Sequence, residues 1–259
     1  MTRIPKRLHY VWIGNDEKPE IFHKCLKSWQ EKMPDYEIVE INEKNFDLEK
    51  HIEKNSFLRE CYKRNLWAYI ADYVRIHYLY EHGGIYLDTD MEIVKDVSPL
   101  FENKNVDFFT GYESDDGIGM GLFGVAAKSE FLKKMINFYD DEIYASPLFT
   151  LPQITKYVLK RYFICDFSKN EIKNNENGIY IYRKEYFYPF LPNQKFSESM
   201  IKEDTYAVHW WHHSWKGSRP FLYLKTKHLK GIKKCIKKIG IYFQIVRDDF
   251  RNRKAKNKN

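Results

Sequence analysis

Apolar residues along this chain fall into short blocks that alternate between a strand-like and a helix-like period. Leu8-His9-Tyr10-Val11-Trp12-Ile13 is a compact apolar run closed by Gly14-Asn15, which predicts a strand within 4–14. From Pro19 to Lys32 the apolar positions Ile21, Phe22, Cys25, Leu26 and Trp29 recur at helical spacing. Pro19 suits the start of such a helix. A second strand is predicted over 36–41. A long helical pattern follows from Phe57 to Glu81 and stops at Gly83-Gly84. Further strands are predicted at 85–88 and 106–110, a flexible loop at Gly117-Ile118-Gly119-Met120-Gly121, a helix over 131–139, and an aromatic strand over 179–190. A late strand or binding loop falls at 206–211. No internal repeat is visible. Strand alternating with helix through the first 110 residues predicts an α/β fold, an open, mostly parallel sheet with helices on both faces. Such sheets bind ligands at the carboxyl ends of their strands.

That edge is where the candidate chemistry falls. The strand predicted at 85–88 ends on Asp88-Thr89-Asp90. On a strand Asp88 and Asp90 would share one face and Thr89 the other. Two carboxylates aimed together repel unless a cation sits between them, and a hard cation with oxygen ligands is the usual answer. The pair alone is a common pattern, and a solvated strand end is the competing reading. The preceding Gly83-Gly84, the short apolar strand and the following Met91-Glu92 favour a site. Upstream, Asp72 and Arg75 are three apart and share a helix face. They read either as a surface ion pair or as a polar pair facing a ligand. In the second case Arg clamps phosphate or hydroxyls and Asp holds sugar hydroxyls. Late in the chain His209-Trp210-Trp211-His212-His213-Ser214-Trp215 is a second dense cluster. His209 is a candidate cation ligand, and imidazole suits Mn better than Mg. Satisfied or surface histidines are the alternative. A zinc site from His209, His212 and His213 is disfavoured because no cysteine accompanies them.

Bulk properties narrow the class. A length of 259 residues suits one large α/β domain or two small ones. A hydrophobic share of 43% with 17% aromatics indicates a globular chain, with most rings in the core and a minority free to line a groove. No apolar run approaches the ~18 residues of a membrane span, and the start lacks a signal peptide's apolar core. Cys25, Cys61, Cys165 and Cys235 are scattered without a CxxC, so they read as reduced thiols of a cytosolic protein.

Charge is unevenly placed. From Phe221 onward there are 13 Lys/Arg against 2 Asp, a net +11, so the first 220 residues carry −4 of the chain's +7. A change of character near Arg219-Pro220 predicts a domain over 1–219 and a basic tail over 220–259. Within the tail, Leu229, Ile232, Ile236, Ile239 and Phe243 form one apolar stripe between lysines. A basic amphipathic helix of this kind lies on anionic membrane surfaces, each Lys contributing about 1 kcal/mol. A helix packed on the domain is the alternative. Nucleic acid is disfavoured as a partner, because no recognition module accompanies the charge.

Taken together, Ala71-Asp72-Tyr73-Val74-Arg75 and Gly83-Gly84-Ile85-Tyr86-Leu87-Asp88-Thr89-Asp90 resemble the DXD glycosyltransferases of family 32, whose pattern recurs in the glucosylating domains of the large clostridial toxins. The opening Ile4 to Gly14 is similar to that family's first strand, and His209 to Trp215 to its C-terminal His…Ser-Trp signature. The resemblance thus covers residues 4 to about 215 in three separated blocks. It implies a GT-A fold and retaining transfer of a hexose-type sugar from a nucleotide sugar, with UDP favoured through Trp12 and Mn2+ (or Mg2+) as the cofactor. By position it implies that Asp90 ligates the metal, while Asp88 contacts sugar or ribose and the metal's water shell. Asp72 and Arg75 would bind the donor's hydroxyls and phosphate, Trp12 would stack on uracil, and Tyr86 would join the donor site. His209 or Ser214 would complete the metal site and Trp215 would touch the diphosphate. The run Trp210-Trp211-His212-His213 departs from the family pattern and leaves His209, His212 and His213 as alternatives.

The implied acceptor is a glycan or lipid-linked saccharide of surface or capsular polysaccharide synthesis. The implied setting is cytoplasmic, peripheral on the inner face of the cell membrane. Cation and Arg would stabilise the charge that develops on a departing diphosphate. No carboxylate stands out in sequence as a nucleophile, so a front-face retaining route is expected. A phosphohydrolase of the haloacid dehalogenase type expects its DxD nearer the N-terminus and after a longer strand. A non-catalytic carbohydrate- or membrane-binding protein leaves the paired aspartates behind Asp72 and Arg75 unexplained.

Overall fold

The computed structural model describes residues 3–14, 16–102, 104–163, 165–212 and 221–256. The elements run β1 (Arg7–Val11), α1 (Glu20–Lys32), β2 (Glu37–Ile41), α2 (Leu48–Lys54), α3 (Ser56–Tyr62), α4 (Trp67–His82), β3 (Gly84–Leu87) and β4 (Met91–Ile93). They continue with β5 (Phe108–Tyr112), β6 (Ile118–Val125), α5 (Glu130–Asn137), α6 (Leu151–Tyr162), β7 (Ile172–Asn174), β8 (Ile179–Tyr182), β9 (Ala207–His209), α7 (Phe221–Thr226) and α8 (Gly231–Lys256). Seven strands form one sheet in the order β2-β1-β3-β6-β5-β8-β7, while β4 and β9 pair antiparallel apart from it. Strands β2, β1, β3, β5 and β8 point one way, and β6 and β7 oppose them.

Alternation along the strands feeds two cores. Leu8, Tyr10, Ile85, Leu87 and Phe109 pack on one face with Phe22, Cys25 and Trp29 of α1. Val11, Tyr86, Phe108 and Phe123 pack on the other with residues of α4, α5 and α6. Each such side chain contributes roughly 1.5–3 kcal/mol by leaving water. The expected open, mostly parallel α/β sheet with helices on both faces is therefore present.

Several expectations change. The helix expected over 57–81 is two helices. Asn65 adopts φ 53, Leu66 N bonds to Cys61 O at 3.0 Å, and α4 restarts at Trp67. Periodicity concealed the break because both helices bury their faces in the same core. Asn is among the few residues that tolerate this backbone. The expected loop at 117–121 leads into and forms part of β6, a fully buried strand. Its glycines permit close approach: a Cβ on Gly119 would lie 2.3 Å from the Tyr188 ring, and one on Gly124 would lie 2.0 Å from Phe109. The strand expected over 179–190 ends at Tyr182, and a 3-10 turn at Lys184–Tyr186 then carries Phe187 and Tyr188 into the core.

The domain boundary expected at 219/220 lies among residues outside those described, but α7, assigned to the tail, belongs to the body. Leu224 is buried in the main core, and Lys227 donates to the carbonyls of Ile143 and Ser146. Only α8 leaves it. Among the described residues, no helix is long and apolar enough to cross a membrane.

His9 ties β1 to the α4–β3 junction. Its Nε2 lies 3.0 Å from Gly83 O, and the ring fills the space a Cβ on Gly84 would occupy. Burial lowers its pKa to about 4, against the opposing Gly83 bond. The unfolded chain therefore binds a proton below about pH 6.5 that the folded chain refuses. Stability should be full above that pH and fall by about 3 kcal/mol as pH drops towards 4. His77, lowered to about 4 mainly by burial, acts in the same direction. Urea unfolding at pH 7 and pH 4.5 measures this, and His9→Gln should flatten the dependence.

Candidate active site

Strand β3 ends at Leu87, and the two aspartates lie on a turn rather than on the strand. Met91 N bonds to Asp88 O at 2.9 Å and diverts the chain into β4. They converge by this turn instead of by strand alternation. Strand β9 then pairs with β4, Met91 opposite His209, and brings the imidazole to the same place. Asp88, Asp90 and His209 each offer a ligand atom, all within 4.8 Å of one another.

Asp90 is held on both oxygens. His209 Nε2 lies 3.1 Å from Oδ1, and His212 N donates to Oδ2 at 2.7 Å. Burial alone would raise the Asp90 pKa, but His209 and the His212 amide outweigh it and lower it. Burial lowers that of His209, and the bond to Asp90 outweighs it and raises it. Among the described residues His209, not the His212 ring, joins the aspartates. His212 contributes its backbone. That contact needs Trp211 at φ 54, an uncommon backbone for a bulky residue that costs on the order of 1 kcal/mol. Trp211 Nε1 anchors it by donating to Phe190 O at 2.9 Å. His213, Ser214 and Trp215 lie outside the described residues.

Behind Asp88 is a buried chain of charge. Arg75 pairs with Asp72 at 3.0 Å and with Asp88 at 3.0 Å, its side chain 8% exposed. It also donates to Met120 O at 3.1 Å and lies over the Tyr86 ring at 4.2 Å. Tyr86 donates its hydroxyl to Asp88 at 3.1 Å. Burial lifts the Asp72 pKa to about 6 against the pull of Arg75. For Arg75 the neighbouring Asp88, Tyr86 and Asp72 outweigh burial and raise its pKa. The surface ion pair is therefore excluded. In this geometry Asp72, Arg75 and Tyr86 hold Asp88 in place, with Asp88 28% exposed.

Trp12 stands at the carboxyl end of β1, beside β3. Trp12 N bonds to Ile41 O at 2.9 Å, and its indole donates to Asp16 O at 3.1 Å. Lys18 lies 5.9 Å from the ring centre. Two site residues escaped the sequence reading. The Tyr188 hydroxyl accepts from Gly121 N at 3.0 Å and Leu122 N at 3.3 Å. Glu113 follows β5 on the same edge of the sheet. Burial pushes its pKa up to about 7; His209 opposes this and Asp88 adds to it. The available signal was Gly117-x-Gly119-x-Gly121, a period of two that marks a strand with one bare face.

The donor set of two carboxylates and one imidazole, partly exposed, fits a divalent cation. The DxD turn thus lies at the carboxyl edge of the sheet and is closed by a histidine from a late strand. Residues 19–107 match the family described as "glycosyltransferase sugar-binding region containing DXD motif". It is 31% identical over 135 residues to inositol phosphoceramide mannosyltransferase 3 of Schizosaccharomyces pombe, covering 51% of this chain and 36% of that protein. It is 29% identical over 108 residues to the initiation-specific alpha-1,6-mannosyltransferase of Candida albicans, covering 39% of this chain and 28% of that one. The chain thus spans about a third of the length of these relatives. Among solved structures, the PaToxG glycosyltransferase superposes with a TM-score of 0.47 at 19% identity, over 61% of this chain and 69% of the other.

Proposed function

We propose that this chain is a metal-dependent retaining glycosyltransferase that moves a hexosyl group from a nucleotide sugar, with UDP as the favoured nucleotide, to a glycan or lipid-linked saccharide. The observation that carries the reading is the convergence of Asp88, Asp90 and His209 from two distant segments at the carboxyl edge of the sheet. Asp88, Asp90 and His209 would hold the cation, and the mixed oxygen and imidazole donors favour Mn2+. When bound it supplies Lewis-acid stabilisation of the leaving diphosphate. Trp12, one strand away, offers its ring to the base. Arg75 and Tyr86 fix Asp88, so the carboxylate is positioned before the donor arrives. In the reaction the bond from the anomeric carbon to the phosphate oxygen breaks, and its electron pair stays with the diphosphate. The acceptor hydroxyl oxygen then bonds to that carbon on the same face, and its proton passes to the departing phosphate oxygen. Both curated relatives carry mannosyltransferase in their names, so a mannosyl donor belongs in any test. The test is nucleotide release with Mn2+ from UDP-glucose, UDP-galactose, UDP-N-acetylglucosamine and GDP-mannose. Release above a protein-free control for at least one supports the reading. Neither binding nor hydrolysis of any overturns it.

Helix α8 is proposed to dock on an anionic membrane on the cytoplasmic side, bringing the site to lipid-linked acceptors of surface or capsular polysaccharide. In support, Ile232 is 78% exposed and Phe243 67%, with Ile236 and Ile239 exposed between them on the same face. Lys233, Lys234, Lys237 and Lys238 flank this stripe. Among the described apolar residues of α8, only Ile241 is buried. Flotation with phosphatidylglycerol vesicles should recover the full chain, and a chain ending at residue 230 should stay behind. Ending there retains α7, which the core requires. Equal flotation of both overturns the docking role.

A further inference from the structure

We propose that Glu113 is a sugar-binding residue whose carboxylate accepts a hydrogen bond from a saccharide hydroxyl at the transfer end of the cleft. This rests on the glycosyltransferase reading above.

Three observations carry it. The first is order along the sheet edge. Trp12 ends β1, Asp88 ends β3 and Glu113 ends β5, in strands ordered β1-β3-β6-β5. A nucleotide sugar with its base at Trp12 and its diphosphate at Asp88 points its sugar onward, across β6 towards β5. Two strand spacings, about 10 Å, separate β3 from β5. A sugar ring with its hydroxyls spans a distance of that order, so one saccharide can reach from the Asp88 end to Glu113.

The second is the strip of glycine backbone between them, over which the buried Tyr188 packs. Gly117, Gly119 and Gly121 alternate along and just before β6. A Cβ on Gly117 would lie 3.1 Å from Glu113 Oε1, one on Gly119 would lie 2.4 Å from the Tyr188 hydroxyl, and one on Gly121 would lie 2.9 Å from Asp88 Oδ2. Glu113, Tyr188 and Asp88 therefore line one strip of backbone that carries no side chains of its own.

The third is what Glu113 lacks. The other cleft carboxylates are engaged, Asp88 by Arg75 and Tyr86, Asp90 by His209 and His212. The Tyr188 hydroxyl is engaged by two backbone amides. Glu113 is half-buried, and among the described residues no hydrogen bond or ion pair reaches its carboxylate. Its backbone is engaged, Glu113 N donating to Gly117 O at 2.9 Å, which fixes the turn. A half-buried carboxylate has lost part of its hydration, and a ligand hydroxyl supplies a donor in its place. The raised pKa reports the same desolvation. That hydroxyl belongs either to the donor's hexose or to the acceptor.

Glu113→Gln and Glu113→Ala in the full chain test this, with folding checked by circular dichroism and melting. Calorimetric binding of UDP and GDP with Mn2+ should match wild type within about twofold. Transfer should fall roughly tenfold for Gln and further for Ala in kcat/KM, because a charge-assisted bond is weakened or lost. If donor hydrolysis without acceptor falls as well, the hydroxyl is the donor's. If only transfer falls, with a raised acceptor KM, it is the acceptor's. Unchanged rates in both variants overturn the assignment. So does a loss of nucleotide binding, which would mean that Glu113 acts through the metal site. If the wild type binds neither nucleotide nor any sugar donor, the enzymatic reading itself fails and this assignment falls with it.

Discussion

Asp90→Ala is expected to lower turnover by about three orders of magnitude and to abolish Mn2+ binding while the domain stays folded. Asp90 is where the two distant parts of the site meet. One oxygen faces His209 and the other takes the His212 amide. Alanine removes one of the three carboxylate and imidazole groups proposed to hold the metal and also frees the segment that carries the histidine. The imidazole then loses the partner that raises its pKa, so it should titrate at lower pH than in wild type. Manganese titration followed by EPR, nucleotide release and histidine NMR titration read the three effects. Activity within tenfold of wild type, with stoichiometric metal still bound, would remove Asp90 from the site. Asp90→Asn keeps the backbone contact and should restore folding of the late segment without restoring turnover.

Arg75→Met should be the most damaging single change to the fold among these residues, costing about 3–5 kcal/mol. Its guanidinium reaches Asp72, Asp88 and the Met120 carbonyl at once. Removing it strands Asp72, whose side chain is only 6% exposed, as a buried charge without its partner. The pH dependence identifies the cause. Asp72 already has its pKa lifted to about 6 by burial, above its ordinary value of 3.8. Without Arg75 it should rise further, so the folded variant takes up a proton that the unfolded chain releases. The deficit against wild type should therefore shrink as pH falls from 8 to 5.5. Chemical denaturation across that range measures it, and a deficit independent of pH would count against a stranded carboxylate. Asp72→Asn in the Arg75→Met background should recover part of the loss. Arg75→Lys should not, because an ammonium cannot serve three acceptors in one plane.

Much of the site was legible because its residues cluster in sequence. Asp72 and Arg75 share a helix face, and Asp88 and Asp90 follow a short strand at the sheet edge, so spacing alone groups them. Their roles were less legible. Whether Asp72 and Arg75 face solvent, a ligand or another protein group depends on what packs above α4, and β3 and β6 supply that. Glu113 and Tyr188 carry no motif. The end of β5 brings Glu113 to the edge of the sheet, and the 3-10 turn after β8 packs Tyr188 onto the glycines of β6, whose alternation marks a strand with one bare face.

The sequence by itself determined the α/β class, the place of the aspartate pair at the end of a strand and the amphipathic character of the C-terminal helix. Each follows from local periodicity or local spacing, and neighbours along the chain suffice to state it. Tertiary structure decided the rest. It selected His209 from a run of histidines, because β9 pairs with β4 in a register that sets His209 opposite Met91. It turned Asp72 and Arg75 into the support of Asp88, placed α7 in the core, and left the α8 stripe uncovered. These depend on contacts between residues far apart in the chain, and no local pattern encodes which distant segment fills a given space.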